Sequence, residues 1–219
     1  NIKHEDVLAM AQEKLTQFTP KAPTQEGDST FKGGLKIVEK DLEQAHVVFG
    51  FEGVPYFHPH YYVSSVYSAV LGGGMSSRLF QEIREKRGLA YSIYSFPTSY
   101  ISTGQMSVYA ATAPDQVQDL LPVIYEELRR LPKTLTIEEV NRAKAQLKAG
   151  LMMGSESTMA RCEQAARQTL VYGRPILSTE LSQYVENVTL ADVVEFAETL
   201  LTQKSSLIGH GPIKELISY

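Results

Sequence analysis

The chain has 219 residues, of which 43% are hydrophobic and 21% charged, and its formal net charge is -4. This balance is typical of a globular protein with a sizeable core, and the acidic excess argues against a nucleic-acid-binding protein, which is usually basic. No apolar run reaches the length of a membrane span. Because Cys162 is the only cysteine, an intrachain disulfide is excluded and a reducing compartment is favoured.

The first third of the chain predicts a helix, a linker and a strand. Apolar residues at helical intervals predict a helix over residues 5–17, and residues 19–34, rich in proline, glycine and charge, predict a linker. The β-branched and aromatic run 46–51 predicts a buried strand. Residues 53–60, with two prolines, predict a turn before the next helix.

The stretch 71–91 concentrates the special residues of the chain. A helix over residues 61–71 is predicted to end at a glycine triplet, and a charged helix follows it. Ser76 or Ser77 is predicted to cap this second helix, and Gly88 to end it in the left-handed conformation. The predicted inward face comprises Leu79, Phe80 and Ile83, and the predicted outward face comprises Arg78, Glu82, Arg84, Glu85, Lys86 and Arg87.

Two extended segments follow directly. Residues 89–96 alternate, which places Leu89 and Tyr91 on the same side of a strand as Ile93 and Ser95. Residues 97–99 are predicted to form a hairpin connection to a second strand over residues 100–112. Gly104 within that strand indicates a bulge or a close backbone approach.

The remainder is predicted to be mostly helical. Two Ser/Thr-x-x-acid signatures, at Thr136 and Thr189, predict helix starts, and Thr112 with Asp115 predicts a third. The predicted helices cover residues 112–130, 136–153, a segment ending at 172 before Gly173, 177–187 and 189–201, and residues 206–209 form a last strand. This order predicts an α+β fold in which helices pack on one face of an antiparallel sheet.

The sequence does not match the usual short motifs for metal binding or nucleotide binding. His4-Glu5 lacks the second histidine of an H-E-x-x-H helix, and His58 and His60 have no third ligand at helical spacing. The sequence therefore predicts no metal site in this chain. A nucleotide-binding module is disfavoured because Met75 rather than G-K-[ST] follows the glycines, and because the glycines follow a helix rather than a strand.

Arg84 and Tyr91 are the remaining candidates for chemistry. They lie seven residues apart, and a turn at Gly88 would bring both side chains to the same end of the sheet. Arginine offers a fixed fork of donors for carbonyl or carboxylate groups, and a tyrosine hydroxyl can stabilise a forming oxyanion. On residue types alone, a surface arginine and a core tyrosine remain the favoured interpretation.

A family resemblance changes this balance. The run LGGGMSSRLFQEIREKRGLAYSIYSFPTSY, followed by TGQMSVYAAT, resembles the pitrilysin/insulinase family of zinc metallopeptidases, in particular its bacterial and mitochondrial processing-peptidase branch. The segments EEVNRAKAQLKAGLMMGSEST, VYGRPI, NVTLADVVEFA and GHGP extend the resemblance over nearly the whole chain.

The resemblance implies one half of a clamshell. Family members have two similar α+β halves that close over an extended peptide, and the catalytic half binds zinc through an H-x-x-E-H helix and a downstream glutamate. The other half contributes an arginine and a tyrosine that contact the substrate near the scissile bond, and Arg84 and Tyr91 match these positions. The glycine connection is implied to be a substrate-proximal loop, shorter here than in processing peptidases: Gly72, Gly73 and Gly74.

The resemblance therefore identifies the chain as the C-terminal, non-zinc half of a metalloendopeptidase. Residues 1–22 would be the linking helix from the catalytic half, and residues 23–219 the substrate-positioning domain. The implied partners are a zinc-bearing half, in the same polypeptide or a separate subunit, and a peptide substrate, with assembly as a homo- or heterodimer. The alternative is a structural or partner subunit of the same family, as in respiratory-complex core proteins. A bacterial cytoplasm or a mitochondrial-matrix-like compartment is expected.

Overall fold

A computed structural model describes residues 2–19, 27 and 29–216, so most of the predicted linker lies outside the described residues. The helices are α1 His4–Leu15, α2 Tyr61–Gly72, a π-helix Phe80–Glu85, a 3-10 helix Pro114–Gln116, α3 Val117–Thr134, α4 Ile137–Gly154, α5 Thr158–Tyr172, α6 Ser178–Glu186 and α7 Leu190–Thr202. The strands are β1 Gly34–Glu39, β2 Ala45–Glu52, β3 Ser92–Ser99, β4 Gly104–Thr112 and β5 Ser206–Gly211.

The five strands form one sheet in the order β1-β5-β2-β4-β3. Strand β2 is antiparallel to both β4 and β5, and β3 is antiparallel to β4, whereas β1 runs parallel to β5. The predicted α+β class is confirmed, and the sheet is antiparallel apart from this edge pair. Strand β1 was not predicted, because its side chains are almost all exposed and show no buried alternation.

The core lies between one face of the sheet and the helices. Phe49 on β2 meets Tyr125 on α3 edge to face, with ring centroids 4.7 Å apart, and Tyr67 on α2 meets Phe196 on α7 at 5.3 Å. Edge-to-face packing is a favourable arrangement for aromatic rings in a core. The opposite face of the sheet leaves two large aromatic side chains exposed, Tyr94 and Phe96.

The capping signals are mostly confirmed. Thr136 and Thr189 both form complete capping boxes, and Gly173 ends α5 with φ of 74°. The start predicted at Thr112 is wrong. The Thr112 hydroxyl donates to the Leu89 carbonyl instead, and the 3-10 helix Pro114–Gln116 precedes α3.

The hairpin connection predicted over residues 97–99 is also wrong. Pro97 lies within β3, opposite Met106, and the connection is formed by residues 100–103. An edge strand tolerates proline because one side of it has no ladder bonds to make. The close approach predicted at Gly104 is confirmed, since a Cβ there would lie 2.2 Å from the Val54 carbonyl oxygen.

Candidate functional site

The charged helix that leads to Gly88 is a π-helix. The Lys86 amide donates to the Gln81 carbonyl over 3.0 Å, an i to i−5 bond, so the turn contains one residue more than an α-helical turn. Such turns often occur at functional sites. Gly88 then adopts φ of 63°, as predicted, and the Leu89 amide donates back to the Ile83 carbonyl over 2.9 Å. The chain thereby reverses sharply beside the sheet.

The predicted serine cap of this helix is wrong. The Ser77 hydroxyl donates to the Gly74 carbonyl over 2.6 Å, so it closes the preceding turn rather than accepting from the helix. Arg78 and Leu79 are already helical, and the Gln81 amide donates to the backbone carbonyl of Ser77 over 3.0 Å, so Ser77 lies at the start of the helix without capping it through its side chain. The helix is instead anchored by its charged side chains, described below.

The structure places Arg84 and Tyr91 in contact. The guanidinium carbon of Arg84 lies 4.7 Å from the centroid of the Tyr91 ring and 4.8 Å from that of Phe80. Both distances lie within the range of a cation–π interaction. The guanidinium therefore lies against two aromatic rings, one from its own helix and one from the chain beyond Gly88.

Phe80 is a site residue that the sequence reasoning missed. It was assigned to the inward face, but it is half-buried and its ring packs against Arg84. The available signal was the i, i+4 spacing of Phe80 and Arg84, which brings side chains together on a helix surface.

The donor groups of Arg84 are not committed within the domain. Arg84 makes no hydrogen bond or ion pair with any residue that the structure describes. Since the rings pack against the guanidinium, its N–H groups remain available to acceptors. A fork of this kind matches backbone carbonyl or carboxylate oxygens.

Tyr91 lies outside the strand in which it was predicted. Strand β3 begins only at Ser92, and Tyr91 is 73% exposed while Ala90 is buried. The cause is local, because Leu89 is held at both its amide and its carbonyl, by Ile83 and by Thr112. The chain joins the sheet only at Ser92, three residues after Leu89, and the phenol of Tyr91 faces solvent.

Two side chains of the predicted outward face, those of Arg78 and Glu82, are largely buried in ion pairs. Glu82 is only 8% exposed and pairs with Lys86 at 2.5 Å and Arg87 at 2.7 Å. Arg130 of α3 lies 3.5 Å from the same carboxylate. Arg78 pairs with Glu139 of α4 at 2.8 Å. The placement of Arg78 and Glu82 toward solvent is therefore corrected, since α3 and α4 approach that face.

The Glu82 carboxylate should make stability depend on pH. Hydrogen bonds from Lys86 and Arg87 lower the pKa of Glu82 to about 2, below the value of about 4.3 in an unfolded chain. Its contribution is present above about pH 4.3 and is lost as the pH falls toward 2. We expect Glu82→Gln to lower the free energy of unfolding by about 2 kcal/mol at pH 7.

Urea unfolding of the wild type and Glu82→Gln at pH 7 and pH 3 measures this effect. The difference between the two proteins should shrink at the lower pH. Glu85→Gln, on the exposed side of the same helix, is the matched control and should change stability little at either pH. An equal difference at both pH values would contradict the assignment.

The glycine triplet is a tight connection between α2 and the π-helix. A Cβ at Gly72 would lie 2.5 Å from the Ser95 amide nitrogen of β3, so the two backbones touch. Gln146 of α4 donates to the Gly73 carbonyl over 2.6 Å. These contacts give the triplet a structural role. Its contact with substrate stays a prediction.

The described residues offer no donor set that would suit zinc. They contain no group of three or more histidine, cysteine, aspartate or glutamate side chains arranged to hold a metal ion. His58 and His60 lie with ring centroids 5.3 Å apart, and the Nδ1 of His58 accepts the backbone N–H of His60. No helix in the described part of the chain is both long and apolar enough to cross a membrane.

Comparisons with known proteins agree on one family. Residues 1–147 match the family model described as the peptidase M16 inactive domain. A protein of Rickettsia bellii described as an uncharacterized zinc protease is 31% identical over 213 residues, which cover 97% of this chain and 52% of that protein. The chain thus spans about half the length of the curated relatives it matches.

Two solved structures share the fold. A chain of complex III2 from Candida albicans, with Inz-5 bound, superposes with a TM-score of 0.86 at 24% identity, and the match covers all of this chain and 55% of that one. A protease from Helicobacter pylori superposes with a TM-score of 0.83 at 22% identity, covering 97% of this chain and 53% of that one.

Proposed function

Because the chain belongs to the M16 peptidase family, the pitrilysin/insulinase family that its sequence resembles, we propose that it positions substrate in a zinc-dependent metalloendopeptidase. It would be the C-terminal half, without the zinc site. The observation that carries the proposal is the Arg84 guanidinium, which lies against Phe80 and Tyr91 with uncommitted donors. A donor group held in advance in this way suits the carbonyl oxygens of an extended peptide.

The two side chains would have separate tasks. Arg84 would bind one or two substrate oxygens through its fork, which fixes the register of the peptide. The exposed hydroxyl of Tyr91 would donate to the oxyanion that forms at the scissile carbonyl. Zinc, when bound by the other half, would activate the attacking water. The proposal assigns the zinc ligands to that other half, since the described residues contain no group of three or more histidine, cysteine, aspartate or glutamate side chains arranged to hold a metal ion.

The linking role of residues 1–22 is part of the same proposal. None of the residues of α1 is buried, and several of its apolar side chains are exposed. A helix of this kind gains stability by packing against another surface. We propose that this surface belongs to the zinc-bearing half, in the same polypeptide or as a separate subunit of a homo- or heterodimer. A cytoplasmic or matrix-like location suits the single cysteine.

A non-catalytic subunit of the same family is the second candidate. The likeness to a chain of complex III concerns the fold, which both candidates share. The fold therefore does not distinguish the two candidate functions. Zinc binding and peptide cleavage by the full-length protein would distinguish them.

Peptide hydrolysis by the full-length protein is the test. We expect bound zinc at about one ion per catalytic half, cleavage of unstructured fluorogenic peptides, and loss of cleavage on chelation that zinc restores. The 219-residue chain alone should not cleave. A full-length protein that folds, binds no zinc and cleaves no peptide, both alone and together with its partner subunit, would establish the structural role instead.

A further inference from the structure

A cavity of about 720 Å³ lies among α2, α4, α5 and α6, away from Arg84 and Tyr91. Its volume lies within the range of small-molecule sites, about 300–1,000 Å³. One part of its wall is aliphatic, formed by Leu147, Leu151, Val171, Ile176, Leu181 and Val185. This cavity has no part in the substrate-positioning role proposed above.

Tyrosine residues form the second part of the wall. Tyr56, Tyr61, Tyr62 and Tyr172 all line the cavity, and none of their hydroxyls bonds to a residue that the structure describes. The nearby Tyr184 differs, since its hydroxyl donates to Glu180 over 2.6 Å. Burial raises the pKa of Tyr61, and raises that of Tyr172 to about 12, so both phenols stay protonated and can donate at neutral pH.

Arg167 adds a positive charge at the same place. It lines the cavity from α5, makes no ion pair with a described residue, and its charge partly offsets the effect of burial on the pKa of Tyr61. Among the lining residues that the structure describes, Glu163 is the sole carboxylate. It lies one helical turn from Arg167, and both residues are exposed. The Gln146 amide nitrogen donates to Gly73, and the Gln168 carbonyl accepts from the Ile176 amide. Arg167 and the four phenols therefore remain as donors that bond to no residue the structure describes.

We propose that this cavity binds a small amphipathic anion, an aliphatic carboxylate. Its chain would lie along the aliphatic wall. Its carboxylate would accept from the hydroxyl of Tyr61 and from the Arg167 guanidinium, neither of which donates to a residue that the structure describes. Apolar burial would supply most of the affinity, and the donors would select the charged head group.

Gly150 provides a way to fill the cavity without unfolding the protein. It lines the cavity from α4, and a Cβ built there meets no atom within 4 Å. Replacing a helical glycine by leucine should also favour the helix, by about 0.5–1 kcal/mol. Gly154 lies on the same helix, does not line the cavity and has equally open space, so Gly154→Leu is a matched control.

Calorimetric titration of the full-length protein with dodecanoate tests the proposal. We expect dodecanoate to bind. Dodecanol, which lacks the charge, should bind about tenfold more weakly. Gly150→Leu should weaken dodecanoate binding at least about tenfold without lowering the melting temperature, whereas Gly154→Leu should not. Arg167→Gln should weaken binding of dodecanoate and leave that of dodecanol unchanged.

Several outcomes would overturn the assignment. Absence of dodecanoate binding, or binding that Gly150→Leu leaves unchanged, would remove the cavity as the site. Equal affinity for dodecanoate and dodecanol, or tighter binding of dodecyltrimethylammonium, would show that the head group is not recognised as an anion.

Discussion

Arg84→Lys in the full-length protein is expected to lower kcat/KM for peptide substrates by about 100-fold, nearly as much as Arg84→Ala. Lysine keeps the positive charge, so a purely electrostatic role would survive the change. We propose a geometric role, because the planar guanidinium lies against Phe80 and Tyr91 and its donors bond to no residue that the structure describes. An ammonium group cannot reproduce that fork.

Steady-state cleavage of a fluorogenic peptide, with zinc content and melting temperature measured for each variant, checks this expectation. Arg161→Lys, at an exposed position of α5, is the control and should leave kcat/KM unchanged. Unaltered kcat/KM in both Arg84 variants would remove the assigned role.

Phe80→Leu provides a second arm of the same test. It should lower kcat/KM by about tenfold in the wild type and much less in an Arg84→Ala background, because Phe80 acts through Arg84. A loss of equal size in both backgrounds would show that Phe80 only stabilises the fold.

The fold could be predicted from sequence where local signals and tertiary packing agree. Thr136 and Thr189 begin helices because their hydroxyls accept from the amide three residues later, which is a local effect. Strand β2 was found because a run of β-branched and aromatic residues is typical of a buried strand, and side chains such as Val47 and Phe49 are indeed buried. Strand β1 was not found, since its ladder depends on the distant β5 and its own side chains carry no alternation.

The site could be predicted only in part. Gly88 indicated where the chain turns, and the family resemblance pointed to Arg84 and Tyr91, whose contact with substrate stays a prediction. Phe80 contacts Arg84 within a π-helix, whose turn holds one residue more than that of an α-helix. Hydrophobic periodicity in the sequence does not distinguish these two kinds of helix. The burial of Glu82 was missed because a run of charged residues in the sequence is typical of a solvent-exposed face. In the folded chain, α3 packs against that face and places Arg130 beside Glu82.

Gly72→Ala is expected to lower the free energy of unfolding by about 3 kcal/mol, whereas Gly74→Ala should change it by less than about 0.5 kcal/mol. A Cβ at Gly72 would meet the backbone of Ser95 and Tyr94 at 2.5–3.0 Å, so α2 and β3 would have to separate. At Gly74 the nearest atom is the side-chain nitrogen of Gln146, at 3.2 Å, and a flexible amide can move.

Urea unfolding of both variants, combined with kcat/KM per folded enzyme, separates the two roles that the triplet was given. A structural connection requires that Gly72→Ala lose stability and that Gly74→Ala keep both stability and kcat/KM. If Gly74→Ala instead keeps its stability and lowers kcat/KM, the loop contacts substrate, as the family resemblance implies. Equal stability losses in the two variants would contradict the close approach of Gly72 to β3, because only Gly72 has backbone within 3 Å of the added carbon.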